Sequence, residues 1–290
     1  MDTNEARDAT SEGSPYGETR GLAFLGEIEN AGKQVFSSQD AQRAGEKLGL
    51  GTARVNWLVS RLALAGWLRR IRRGLYATTG RLPGSTPPHD FAIAVALATP
   101  SALSHRTALH FHGFSDQVPR TITCTTTAKV VTPSMRSGKP PEGRSSVWII
   151  DGLRVELVTV IPSRFFGVEE VWVDQRTRVP MTDLERTILD AFSSPARIGG
   201  MSEALAILEG HVSSLDLPKL ANYAVRLGVA ATVKRLGWAL ESFGAGEDVL
   251  APLLAYPVKM TQPIDPRRAR KGPVIPRWRL QDNLKEPARR

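Results

Sequence analysis

Four arginines, Arg69, Arg70, Arg72 and Arg73, fall within five positions, and Gly74 follows them directly. Guanidinium groups this close repel one another unless an anion lies nearby, so the cluster points to phosphate. Around it, Leu68, Ile71, Leu75 and Tyr76 supply the apolar positions of a small hairpin over residues 67–80, with Gly74 permitting the turn. Just upstream, ARVNWLVSRLALAG carries Val55, Leu58, Val59 and Leu62 at helical spacing, which predicts an inward stripe. The opposite face then holds Ala53, Asn56, Trp57, Ser60 and Arg61, with Arg54 at its edge. Arginine and asparagine match the donor and acceptor patterns of guanine and adenine in the major groove. The chemistry implied is recognition of duplex DNA: bases read by the helix, phosphates held by the hairpin.

A helix and a hairpin need a frame to present them together. LAFLGEIENAG at 22–32 reads as a first helix, with Leu22, Leu25 and Ile28 on one stripe and Gly32 as its stop. Val35 and Phe36 form a short extended piece, and Ser37 or Ser38 can cap a helix over SQDAQRAGEKLG. Residues 48–52 make a turn with two glycines, from which Thr52 can cap the base-reading helix. Helix, capped helix, glycine turn, amphipathic helix and basic hairpin together spell a winged helix-turn-helix over 21–82. The competing reading of 53–66 is an ordinary surface helix, with Trp57 packed on a neighbouring domain.

Charge is distributed in the same sense. The chain is +9 overall. Residues 1–20 carry two basic and five acidic side chains, and 21–82 carry ten and four. Residues 83–258 carry sixteen and seventeen, and 259–290 carry ten and three. Two cationic segments therefore flank a neutral middle, which is the footprint of phosphate binding. The tail cations Arg267, Arg268, Arg270 and Lys271 add candidate DNA contacts, or serve only as solvated surface.

The expected organisation is α+β: a disordered acidic extension (1–20), the winged helix (21–82), a Pro/Gly/Ser-rich linker (83–90), a larger mixed α/β domain (91–258) and a basic tail (259–290). In the larger domain, DFAIAVALATP predicts a helix ending before Pro100, and SALSHRTALHFHGF a second one capped by Ser101 or Ser104. TITCTTTA, SVWII, LRVELVTV and VEEVWV read as strands, separated at 128–146 by a polar loop. Thr182 and Glu185 have capping-box spacing before LERTILDAF, and helices follow at 200–211, 217–227 and 229–242.

Enzymatic chemistry finds little support. His105, His110 and His112 lack a carboxylate at ligand spacing, so no metal is expected. Asp151 and Glu156 suggest a nuclease, but Val158 occupies the position where that arrangement needs lysine. No glycine-rich phosphate loop or Gly-x-Ser-x-Gly elbow is present, and no cofactor is expected. Cys124, the single cysteine, sits in a strand-like run and reads as a buried structural thiol in a reducing compartment. The polar N-terminus and the shortness of FAIAVALA, the most apolar run, lead us to expect a soluble, cytoplasmic protein.

In several short segments the chain resembles the AbiEi-type antitoxins of abortive-infection, type IV toxin–antitoxin systems. They are RRIRRGLY, SHRTALHFHGF followed by DQVP, LERTILDAF, IGG at 198–200, YAVRLGVAATVKRLGWALE, and PRWRL with Asn283. The likeness covers about residues 21–245 and reaches the tail, while the acidic extension and the 128–146 loop depart from it. It implies a winged-helix repressor that binds inverted repeats in its own operon. It also implies an antitoxin domain opposing a nucleotidyltransferase-like toxin encoded alongside, and no enzymatic activity. The rivals are a winged-helix-targeted nuclease, a plain regulator without a toxin, and a winged helix that binds protein.

Overall fold

The computed structural model describes residues 15–131 and 147–284, so residues 1–14 of the acidic extension and 132–146 of the polar loop lie outside the described residues. The chain is α+β and divides into two compact units, Met1–His89 and Asp90–Arg290.

The first unit opens with α1 (Pro15–Asn30), longer than the 22–32 expected, so that residues 15–20 are helical rather than an extension. Its buried side chains are Phe24, Leu25 and Ile28. Leu22, expected on the inward stripe, is exposed, and Phe24 is buried with Leu25 and Ile28 instead. β1 (Val35–Ser37) leads into α2 (Ser38–Lys47). Ser37 is the cap, in a capping box with Asp40: Asp40 N–H donates to Ser37 Oγ at 3.2 Å, and Ser37 N–H donates to the Asp40 carboxylate at 2.9 Å. Burial pushes the Asp40 carboxyl up, but hydrogen bonds from Lys33 and from the Ser37 N–H and hydroxyl outweigh it and hold its pKa below the ordinary 3.8. A depressed native pKa contributes stability above the ordinary value that is lost as pH falls through the native one. Ser37→Ala is expected to destabilise this unit by about 1 kcal/mol in urea melts at pH 7. The deficit should narrow as pH falls below 3.8 and through the native pKa, where the parent too loses its hydroxyl-to-carboxylate bond.

α3 (Thr52–Leu64) follows, then the hairpin β2 (Leu68–Arg72) and β3 (Leu75–Thr78). The three strands pair antiparallel in the order β1-β3-β2. Val55, Leu58, Val59 and Leu62 are all buried, in one core with Phe24, Leu25, Ile28, Phe36 and Leu68. In a regular strand Leu68 and Ile71, three apart, would point to opposite faces. A register shift between Arg70 and Arg72 lets both be buried. The segment expected as a linker folds back on this unit, where Gln34 Nε2 donates to Thr86 O at 3.1 Å. The order α1-β1-α2-α3-β2-β3 fits a winged helix-turn-helix.

The second unit is built on a six-stranded sheet. Its strands are β4 (Ser101–Leu103), β5 (Ile122–Thr126), β6 (Val147–Ile150), β7 (Leu153–Thr159), β8 (Val168–Trp172) and β9 (Arg178–Thr182), ordered β6-β7-β5-β4-β9-β8. β4 with β9 and β5 with β7 run parallel, and the other neighbours antiparallel. Cys124 is fully buried in β5, and desolvation pushes its thiol pKa far above the ordinary range. α4 (Asp90–Ala96) and α5 (His105–Phe111) frame β4. Ser101 therefore begins a strand rather than a helix, and Ser104 occupies the helix cap.

α6 (Leu184–Ser193) is capped by Asp183, whose side chain accepts from Arg186 N–H, in place of the expected Thr182. α7 (Met201–His211), α8 (Leu217–Leu227), α9 (Ala230–Ser242) and α10 (Glu247–Ala255) complete a helical core with α6. Residues 259–284, within the segment expected as a basic tail, belong to this unit. There β10 (Gln262–Pro263), β11 (Val274–Ile275) and β12 (Leu280–Gln281) pair in the order β10-β12-β11. Trp278 between them is completely buried in the helical core. Among the described residues no helix is long and apolar enough to cross a membrane.

Candidate nucleic-acid interface

α3 presents its polar side to solvent. Thr52, Ala53, Arg54, Asn56, Ser60 and Arg61 are exposed, and Trp57 is 46% exposed. Thr52 is the first helical residue rather than the cap. That place falls to Gly51, whose extended backbone begins the helix without a side-chain bond. Three contacts restrain the face. The Arg54 guanidinium lies over the Trp57 ring, 4.3 Å from its centroid, so the charge is held on a flat support. Gln42 Nε2 on α2 donates to Asn56 Oδ1 at 3.1 Å. Ser60 Oγ donates to Asn56 O at 2.9 Å, which commits its hydroxyl proton to the helix and leaves its lone pairs outward.

α2 and α3 meet at Gly45, where a Cβ would lie 2.2 Å from Val55 Cγ2. Only a residue without a side chain allows that approach. Gln42 lies one turn before Gly45, and Asn56 directly follows Val55, so the same crossing sets the Gln42–Asn56 distance. Neither Gln42 nor Gly45 stood out in the sequence. Its one signal was a glycine inside an otherwise good helix, which marks close packing.

The hairpin sorts its arginines into two classes. Arg70 and Arg73 are exposed, whereas Arg69 and Arg72 are half-buried. Arg72 Nη1 donates to Arg73 O at 3.2 Å, and its Nε is buried without a hydrogen-bond partner among the described residues. Arg72 therefore braces the tip as much as it faces solvent. Gly74 has φ +76, a left-handed turn position that suits glycine. Its carbonyl accepts from Ser38 N–H at 2.9 Å, tying the tip to the start of α2. Helix and hairpin thus share one core and one frame, with Asn56, Arg61, Arg70 and Arg73 all on the outside.

In the second unit, buried Asn283 organises the basic turn. Its Oδ1 accepts from Asp265 N–H at 2.9 Å, and its Nδ2 donates to Asp265 O at 2.8 Å and Ala269 O at 3.2 Å. Arg268 is engaged, with Nε 3.6 Å from Asp265 Oδ2 and Nη1 on Leu284 O. Arg267, Arg270 and Lys271 are exposed on this turn.

The residues considered for other chemistry are dispersed or occupied. Asp151 is exposed in the β6–β7 turn at φ +48, while Glu156 lies five residues along β7, buried and ion-paired with Arg197. His105 Nδ1 meets Ser104 Oγ at 2.9 Å, His110 Nδ1 meets Ser115 O at 3.1 Å, and His112 Nε2 meets Thr182 O at 2.7 Å. Among the described residues no group of three His, Cys, Asp or Glu side chains could hold a metal ion.

The order of elements, the exposed helix face and the cationic hairpin converge on one segment. Residues 27–79 match the AbiEi antitoxin family of transcriptional regulators. The AbiEi match runs from within α1 to just past β3, so it takes in α2, α3 and the arginine hairpin. The likeness to AbiEi-type proteins noted over later residues lies beyond that match. In fold the chain is similar to the RV2827C protein from Mycobacterium tuberculosis, with 90% of each chain covered, 17% sequence identity and a TM-score of 0.57. No curated protein matches the chain.

Proposed function

We propose that this chain is a DNA-binding transcriptional repressor and antitoxin of a type IV toxin–antitoxin system, and not an enzyme. It represses its own operon at inverted repeats and counters a nucleotidyltransferase-like toxin. α3 enters the major groove, with Thr52, Arg54, Asn56, Trp57, Ser60 and Arg61 at or beside the bases. Arg70 and Arg73 hold phosphates, supported by Arg69 and Arg72. Arg267, Arg270 and Lys271 add phosphate contacts from the second unit, supported by Arg268, which is exposed and also bound to Asp265 and Leu284 O. The observation that carries this reading is the exposed polar face of α3, joined through one core to a hairpin with outward arginines, within the segment matched to a regulator family.

The test is titration of the full chain against its own promoter duplex and a scrambled duplex at several salt concentrations. About five phosphate contacts predict a log–log salt slope near −4.5 on both. Tighter binding to the promoter is expected, and Asn56→Ala should remove most of that preference while leaving the slope unchanged. Salt-independent binding, or none, would sink the proposal.

A further inference from the structure

The structure assigns Gln42, on the helix preceding the recognition helix, a direct part in base discrimination, as half of a composite reader made with Asn56. This deepens the DNA-binding reading and rests on it. A lone asparagine offers a neighbouring donor and acceptor, which suits the N7 and N6 of adenine. Here the Asn56 carbonyl is already engaged by Gln42 Nε2 at 3.1 Å. The two amide atoms left wholly free for DNA are Asn56 Nδ2 as donor and Gln42 Oε1 as acceptor. Among the described residues neither atom has a protein hydrogen-bond partner. Gln42 is half-buried and Asn56 exposed, so both remain within reach of a ligand laid on α3.

Exchanging the roles of the two amides leaves the same outward combination, one donor beside one acceptor. An adenine edge complements that pair. A guanine edge offers two acceptors, O6 and N7, and would set one against the free amide oxygen. The composite therefore selects A·T at the base pair it faces. The close crossing at Gly45 and Val55 makes its geometry a property of the helix pair rather than of one mobile side chain.

Replacing Gln42 with glutamate separates a reading role from a structural one. A carboxylate only accepts, so Asn56 must turn its Nδ2 inward to donate to it. Two acceptors then face the base, and these suit the N4 amino group of cytosine.

The experiment is selection from a random duplex library by full-length wild type, Gln42→Glu, Gln42→Ala and Asn56→Ala, with circular dichroism confirming each fold. Wild type should enrich a motif containing an A·T pair that Asn56→Ala relaxes. Gln42→Ala should relax the same pair by about tenfold, and Gln42→Glu should shift it toward C·G. If wild type enriches a motif that both Gln42 variants reproduce, Gln42 is not a reader and the DNA-binding function stands. If wild type enriches nothing and its binding ignores salt, the functional reading itself fails, and this inference with it.

Discussion

Combining Arg70→Ala with Arg73→Ala should weaken binding to every duplex by about ten- to a hundredfold near 0.1 M salt, and make the salt slope shallower by about two. The two side chains are exposed at the hairpin and, among the described residues, neither pairs with a carboxylate. Each is therefore available to displace a condensed counterion, and each lost contact removes about one unit of slope. Arg72→Ala should behave differently. Its Nη1 is spent on Arg73 O and its Nε is enclosed, so the slope should change by well under one unit. Asn56→Ala should leave the slope alone and alter the ranking of sequences. Anisotropy titrations at four salt concentrations separate these patterns. A double variant with an unchanged slope would remove the hairpin from the interface.

Trp278→Ala should cost about 3–5 kcal/mol, the range for deleting a large buried aromatic side chain. The ring is fully buried, and its six-membered edge lies against Gly237 so closely that a Cβ there would be 2.1 Å away. Its indole N–H donates to the Glu241 carboxylate, so truncation also leaves that acceptor without its donor. Loss of the ring should release the small β10-β12-β11 sheet from the helical core and, with it, the basic turn that Asn283 organises. Urea unfolding of the full chain reads this directly. The transition of the second unit should move to lower denaturant while that of the first unit stays in place. A cost below about 1 kcal/mol would mean that the C-terminal segment is only loosely attached.

What could be read from residues alone follows from how each element is stabilised. The buried stripe of α3 is a local pattern: Val55, Leu58, Val59 and Leu62 repeat at helical spacing, and all four are in the core. The hairpin was equally readable because its turn needs Gly74 and its core needs Leu68, Ile71 and Leu75. Elements held by distant partners were harder. β4 is three residues long and pairs with β5 and β9, so SALSHR reads as the start of a helix. β9, α10 and the C-terminal sheet left too little periodicity to detect. Trp278 stands between two arginines, a setting that suggests surface, and only its distant neighbour Gly237 reveals the reverse. At the interface, the helix residues came from local spacing, whereas Gln42 joins them through a contact across fourteen residues.

The single backbone bond from Ser38 N–H to Gly74 O has a kinetic meaning. It fastens the loop between the two hairpin strands to the helix pair, so in the proposed function the grip is shaped before a duplex arrives. A wing that had to order itself on contact would add an activation step after encounter. With that step absent, the proposed binding would be limited by how quickly the cationic surface and the polyanion find each other.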